Sequence, residues 1–323
     1  MTISFHKFHK ISNLKSICNK FYYLPNMEWI VTEKIHGCNV SILSDGIDVQ
    51  FARRNAILSK DEYKNFYNID ILLKKFLDTV SQIYRDMGLT EQIIIYGELF
   101  GGGYPNTISS PGTKLIQNGI YYHPEIQFCA FDIRIGDKYL DFNSCVDIFE
   151  KYGIFYTKPL YRGSLEDAIN WSNNNKYAPS TLPKLLGQID YISDIINLRE
   201  GHVLKPVFPY YFPNGDFVIA KDKNDKFSEI IPNSKPRHIS HLLPIELQDK
   251  IMSCINIQRL NNVISKIGDV MNNPKTMQMV RGLFIQDILQ ELEIGKKNEL
   301  YIDVKQFICK NIQNIVIDRL STT

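Results

Sequence analysis

The chain has 323 residues, a size for one large domain or two. Its hydrophobic (44%) and charged (22%) fractions are ordinary for a globular protein and exclude long disorder. A net charge of +2 excludes recognition of nucleic acid by bulk charge, so any such surface must come from local clusters of Lys and Arg.

The start, MTISFHKFHK, has neither the apolar core of a signal peptide nor the arginine-rich character of a transit peptide. No apolar run approaches the roughly 18 residues of a membrane helix. The cysteines (Cys18, Cys38, Cys129, Cys145, Cys254, Cys309) are scattered without a C-x-x-C pair, which fits a reducing compartment rather than a disulfide framework or a zinc site. The histidine pairs in HKFH (6–9) and HISH (238–241) lack further ligands to complete a metal site. A soluble, cytoplasmic protein is expected.

From residue 28 to about 230, short apolar runs alternate with turn signals. WIVTEK and NVSIL flank a His-Gly turn. After the SDG turn, IDVQFARR alternates Ile47, Val49 and Phe51 with polar residues, the period of a strand. A helix is expected over 61–87, with Leu72, Leu73, Phe76, Leu77, Val80 and Ile83 at helical spacing. QIIIYGELF reads as a buried strand running into GGG. IQFCAFDIRI-GD-KYLDF and HVLKPVFPYYF-PNGD-FVIAKDK read as hairpins. Between them lie helices at 143–152, closed by Gly153, and at 164–171, opened by a Ser cap with acidic residues behind it. Hairpins in place of helix crossovers imply mostly antiparallel sheets. Beyond SKPRHISHLLP, a linker, apolar residues recur at three and four positions almost to the end. The expected architecture is therefore an α+β domain of antiparallel sheets with flanking helices over 1–234, followed by an all-helical domain over 235–323.

Five places carry polar groups that a plain sheet domain does not require: EKIHGCN (33–39), ARRN (52–55), YGELFG (96–101), EGHVLKP (200–206) and KDKNDKFSE (221–229). Any one of them alone is more often a solvated strand end. Brought together by strand ends, they would place Lys34, Arg54, Lys205, Lys221 and Lys223 beside Glu98 and Glu200. Lysine and arginine bind phosphate oxygens, and carboxylates near phosphate point to magnesium.

In this order the five segments resemble the covalent nucleotidyltransferases, and within them the phage RNA ligase 2 family, whose relatives include the kinetoplastid RNA-editing ligases. EKIHGCN resembles the family's nucleophile motif, with His where DNA ligases and capping enzymes have Asp. FDI (131–133) and STLPKLLG (180–187) also look like the family. The resemblance covers about residues 5–235, and the helical C-terminus agrees in type. Because FHKFHKISN already resembles the family's own beginning, phage or viral kin are favoured over editing ligases.

The resemblance implies an adenylyltransferase domain that uses ATP and Mg2+, or Mn2+ in its place, to seal RNA ends. Lys34 would attack the α-phosphorus and carry AMP, which then passes to an RNA 5′-phosphate before a 3′-OH closes the nick. Lys221 and Lys223 would hold the α-phosphate, and their positive charge would help activate the Lys34 amine. Lys205 would lie on the nucleotide, Glu98 on the ribose and Phe131 on the adenine ring. Glu33 would seat the base, Glu200 would help hold the metal, directly or through water, and His36 and Asn39, on the Lys34 turn, would serve pyrophosphate departure or metal-bound water. Arg54, rather than Arg53, would hold RNA phosphate. Arg237, Lys266, Lys275, Arg281 and Lys310 of the helical domain would clamp duplex RNA. The rivals are a DNA ligase or capping enzyme, which usually carries a β-barrel after the lysine domain, and an inactive RNA-binding relative. Cys38 departs from the small residue common in relatives, and His202 stands at a variable apolar or aromatic place.

Overall fold

A computed structural model describes residues 3–21, 24–188, 197–227, 243–267 and 274–321. The chain divides into two compact units, Met1–Asn224 and Asp225–Thr323. The boundary expected at 234, its linker, the HISH pair and Arg237 lie outside the described residues.

Strands of the first unit are β1 (Ser12–Asn13), β2 (Trp29–Glu33), β3 (Cys38–Ser44), β4 (Val49–Arg53), β5 (Ala56–Ile57), β6 (Ile93–Phe100), β7 (Gln127–Ile135), β8 (Lys138–Tyr139), β9 (Pro159–Gly163), β10 (Gly201–Pro206) and β11 (Ala220–Lys223). They form one sheet in the order β1-β11-β10-β2-β9 and another in the order β5-β4-β3-β6-β7-β8. Pairing is antiparallel except for β1 with β11. Sequential strands joined by short turns can pair only that way.

Alternation along each strand separates two faces. On the six-stranded sheet, Val40, Ile42, Phe51, Ile95 and Ile133 pack outward with Phe76, Val80 and Ile83 of α2 (Leu73–Met87) and Phe149 of α3 (Phe142–Lys151). On the five-stranded sheet, Trp29, Val31, Leu204 and Ala220 pack outward with Leu14 and Ile17 of α1 (Leu14–Phe21), and with Ala168 of α4 (Leu165–Asn174). The inner faces meet through Phe8, Leu43, Ile94, Tyr96 and Ile219, with Phe131 and Val203 against them. Asp141 and Ser164 cap α3 and α4 by accepting the Ser144 and Asp167 amides.

Two expectations change here. Ile47 lies in the turn before β4 and is 83% exposed, so the strand begins at Val49. The helix expected over 61–87 starts only at Leu73. Tyr67 and Asn68 ahead of it have φ of 55° and 53°, a left-handed pair that interrupts any α-helix, and 3₁₀ turns fill Lys60–Glu62 and Ile69–Leu72. Within α2, Phe76, Val80 and Ile83 are buried, and Leu77 is on the exposed side.

The second unit is helical: α6 (Ile245–Cys254), α7 (Ile257–Ser265), α8 (Pro274–Glu291) and α9 (Tyr301–Ser321) follow the short α5 (Leu182–Leu185) in chain order. Asn256 breaks the first apolar run by capping α7 through the Arg259 amide. Ile251, Leu260, Phe284, Ile288, Ile308 and Ile312 form its core. No described helix is long and apolar enough to cross a membrane.

Candidate active site

Lys34 sits where the chain leaves one sheet for the other. β2 and β3 flank the turn but do not pair with each other. Gly37 makes the crossing fit, since a Cβ there would meet the Leu99 carbonyl oxygen of β6 at 2.2 Å. The Lys34 amide donates to the Gly201 carbonyl at 2.9 Å, and the His36 amide donates to the Tyr122 hydroxyl at 3.0 Å. Gly201 has φ +151° and approaches Asp222 too closely for a side chain.

One buried carboxylate organises the charges. Lys34 Nζ donates to Glu200 Oε2 at 2.7 Å, and His36 Nδ1 lies 3.5 Å from the same oxygen. Lys223 Nζ lies 2.8 Å from Glu200 Oε1. The Glu200 side chain is 1% exposed, and that of Lys34 18%. Burial alone would push the Glu200 carboxyl upward, but Lys223, Lys34 and His36 outweigh it and hold the group well below the ordinary carboxylate range.

Alternation brings most of the expected residues to the inner faces. Ala220 and Asp222 of β11 turn outward, so Lys221 and Lys223 turn inward. Across the end of the six-stranded sheet, Asn39 of β3 stands opposite Glu98 of β6, and Arg54 directly follows Arg53, which pairs with Val40. Asn39 Nδ2 donates to the Gly97 carbonyl at 3.3 Å, and Arg54 Nη2 to that of His9 at 3.3 Å. Arg53 faces Glu62 at 3.8 Å. The register between β6 and β7 shifts at Tyr96/Gly97, leaving Phe131 as the extra residue of a bulge. Bulges re-aim side chains, and Phe131 stands half-buried on the inner face with its ring 4.9 Å from that of Phe8.

Residues 27–221 match the RNA ligase family. The chain belongs to the RNA ligase family. Residues 245–317 match the family described as T4 RNA ligase 2 C-terminal, and the two matches together place this member in the phage RNA ligase 2 branch. Among curated proteins it is similar to the mitochondrial RNA-editing ligase 1 of Trypanosoma brucei brucei, 26% identical over 316 aligned positions that cover 76% of this chain and 65% of that protein. It is also similar to the mitochondrial RNA-editing ligase 2 of that organism, 29% identical over 353 positions, 90% of this chain and 82% of that protein. The chain thus spans just under two thirds of the length of the first. Solved structures that align with it include a Naegleria gruberi RNA ligase mutant with ATP and Mn (TM-score 0.49, 14% identity, 69% of this chain, 56% of that one). An archaeal ATP-dependent RNA ligase aligns at TM-score 0.47 and 13% identity, over 100% of this chain and 67% of that one.

For this RNA ligase family member, two expected nucleotide contacts have other partners. Glu33 is on the outer face, where Ser180 donates its hydroxyl to Oε1, and Thr181 donates its amide (2.9 Å) and hydroxyl (3.0 Å) to Oε2. Burial raises its carboxyl, and these bonds only partly offset that. Its carboxylate therefore anchors the STLPKLLG segment rather than facing the inner side. Lys205 is inner-facing but buried, donating to Asp132 Oδ1 at 2.7 Å and to the Phe131 carbonyl at 3.1 Å. It fixes the bulge that presents Phe131.

Cys38 is fully buried in the outer core with Val40 and Ile42, so the departure at this position is a packing residue. His6 lies 3.2 Å from Ser4 Oγ, and the His9 ring stacks on Phe217. In the helical unit, Lys266 pairs with Asp287 at 3.1 Å, beside an Arg259–Asp287 pair at 2.7 Å whose arginine is buried. Nothing in the sequence marks that pair, since charged residues at helical spacing read as surface. Arg281 lines a shallow groove with Met277, Ile285 and Gln313, and Lys310 another with Tyr301, Lys305 and Cys309. The Lys275 side chain and Arg237 lie outside the described residues.

Proposed function

We propose that this protein is an ATP-dependent RNA ligase that joins 3′-OH and 5′-phosphate ends, or nicks in duplex RNA, by way of lysyl-AMP and adenylylated RNA. The observation that carries the reading is Lys34 and Lys223 held on the two oxygens of one buried carboxylate, Glu200, next to the inner-facing Lys221. A structural ion pair needs one cation; a site that must hold a triphosphate and supply an amine needs several.

In the first step Lys34 Nζ, having lost its proton, forms a bond to the α-phosphorus while the bond to pyrophosphate breaks. Lys221 and Lys223 neutralise the oxygens of the reacting phosphate. Phe131 receives the adenine ring, and Glu98 the ribose. In the later steps Arg54 holds the phosphate of the RNA end with its forked donors. Glu200 is an oxygen donor suited to Mg2+ or Mn2+, and a site with so few carboxylates fits a metal carried largely by nucleotide phosphates rather than a protein cage. When bound, that metal supplies further neutralisation of the phosphate charge.

The helical unit, through Arg281 and Lys310 among others, is proposed to hold the RNA duplex. The cytoplasmic location belongs to the same proposal, supported by cysteines scattered along the sequence without a C-x-x-C pair, which suits a reducing compartment. The test is sealing of a nicked RNA duplex with ATP and Mg2+, compared with the same nick bearing DNA on its 3′-OH side. Sealing of the RNA nick in preference supports the reading; equal sealing of both removes its RNA specificity.

A further inference from the structure

Ser172, Arg199, His202 and Asp222 form a buried polar run on the outer face of the five-stranded sheet. Its donor order is forced. An arginine side chain can only donate, so Arg199 Nη1, 3.3 Å from His202 Nε2, makes that nitrogen an acceptor. The neutral ring then carries its proton on Nδ1 and donates to Ser172 Oγ at 2.8 Å. Ser172 donates in turn to Asp222 Oδ2 at 3.0 Å. The run crosses three elements: β10 with the residues just before it, helix α4, and β11.

Asp222 stands between the two lysines that the reaction needs inward. β11 has four residues, and its outer neighbour β1 only two. A strand this short, near a sheet edge, has little backbone pairing to fix its register, and a slip of one residue would turn Asp222 inward and both lysines away. The row Glu33, His202, Asp222 pairs across β2, β10 and β11, and each of these outward side chains is held by hydrogen bonds of its own.

We infer that the run Arg199–His202–Ser172–Asp222 is a register lock, and that Asp222, Ser172 and His202 are positioning residues that present Lys221 and Lys223 to the reacting phosphate. The inference deepens the adenylylation reading above and rests on it for its kinetic arm. The lock acts because each member is buried: removing Asp222, Ser172 or His202 leaves the donor before it without an acceptor, a cost that a shifted strand relieves.

Two measurements on the full-length protein test it. Nitrogen-resolved NMR of the histidine side chains should show His202 protonated on Nδ1 and bare on Nε2; the reverse tautomer overturns the lock. The second is the first-order rate constant of Lys34 adenylylation at saturating ATP, which does not depend on how much protein is folded. Asp222→Ala should lower it by about tenfold or more, and Asp222→Asn, which keeps an acceptor oxygen, should stay within about threefold of wild type. A smaller fall for Asp222→Ala, or an equal fall for both, overturns the inference. If Asp222→Ala does not fold, the wild-type tautomer decides. A wild type that takes up no AMP would instead overturn the adenylylation reading, and the tautomer would still decide the lock.

Discussion

Glu200 Oε2 lies 2.7 Å from Lys34 Nζ, and the other oxygen of the same carboxylate lies 2.8 Å from Lys223 Nζ. The proposed nucleophile and a proposed phosphate-binding lysine therefore share one buried counter-charge. Removing that charge while keeping the shape should cost both stability and chemistry. Glu200→Gln should lose about 3–5 kcal/mol in urea unfolding, the range for breaking a buried pair.

The same carboxylate gives a pH dependence of known sign. Its folded value is depressed from the ordinary 4.5, so its stabilisation is present above that value and is lost as pH falls through the folded value. Urea unfolding of wild type should therefore weaken more steeply below about pH 4.5 than that of Glu200→Gln. Equal acid slopes for the two proteins would count against the shared counter-charge.

Gly37→Ala would drive a Cβ into the Leu99 carbonyl, which is backbone and cannot swing away. The crossing from β2 to β3 must then move, and Lys34 with it. Adenylylation should fall about a hundredfold, and stability by about 2 kcal/mol. A variant that adenylylates at the wild-type rate would show that the crossing has slack.

Lys205→Met should destabilise by about 3–5 kcal/mol because it strands the Asp132 charge in the core. The Asp132 carboxyl is already raised by burial, which Lys205 only partly offsets. Adding Asp132→Leu should restore the stability, read from thermal unfolding, to within about 1 kcal/mol of wild type. A double variant as unstable as the single one would mean that Lys205 is held by something other than Asp132.

Cys38→Ala should cost only about 1 kcal/mol, and the Lys34 adenylylation rate should stay within about twofold of wild type. The check is the same single-turnover assay. A large loss of rate would give the thiol a role beyond packing.

The sequence made most of this site legible, and the exceptions share a cause. Hairpins, caps and buried strands are written in local patterns, and the inward turn of Lys221 and Lys223 follows from period-two alternation. Alternation also places Glu33 and Asp222 outward, but only once the direction of Lys34 is known from the fold. The α2 start is hidden in the sequence because no propensity marks the left-handed pair Tyr67–Asn68 that holds the helix off until Leu73. The Arg199–His202–Ser172–Asp222 run joins residues up to 50 positions apart and has no sequence period at all. The resemblance puts Lys205 on the nucleotide because its motif sits among phosphate-binding segments; its pairing with Asp132 beside the β7 bulge is visible only in the fold.

The account stands most directly on covalent capture of AMP by Lys34. The protein should be incubated with ATP and Mg2+, digested and mapped by mass spectrometry. A gain of one AMP on the peptide carrying Lys34, lost in Lys34→Ala, is the predicted result. No adduct, or an adduct that persists in Lys34→Ala, would contradict it.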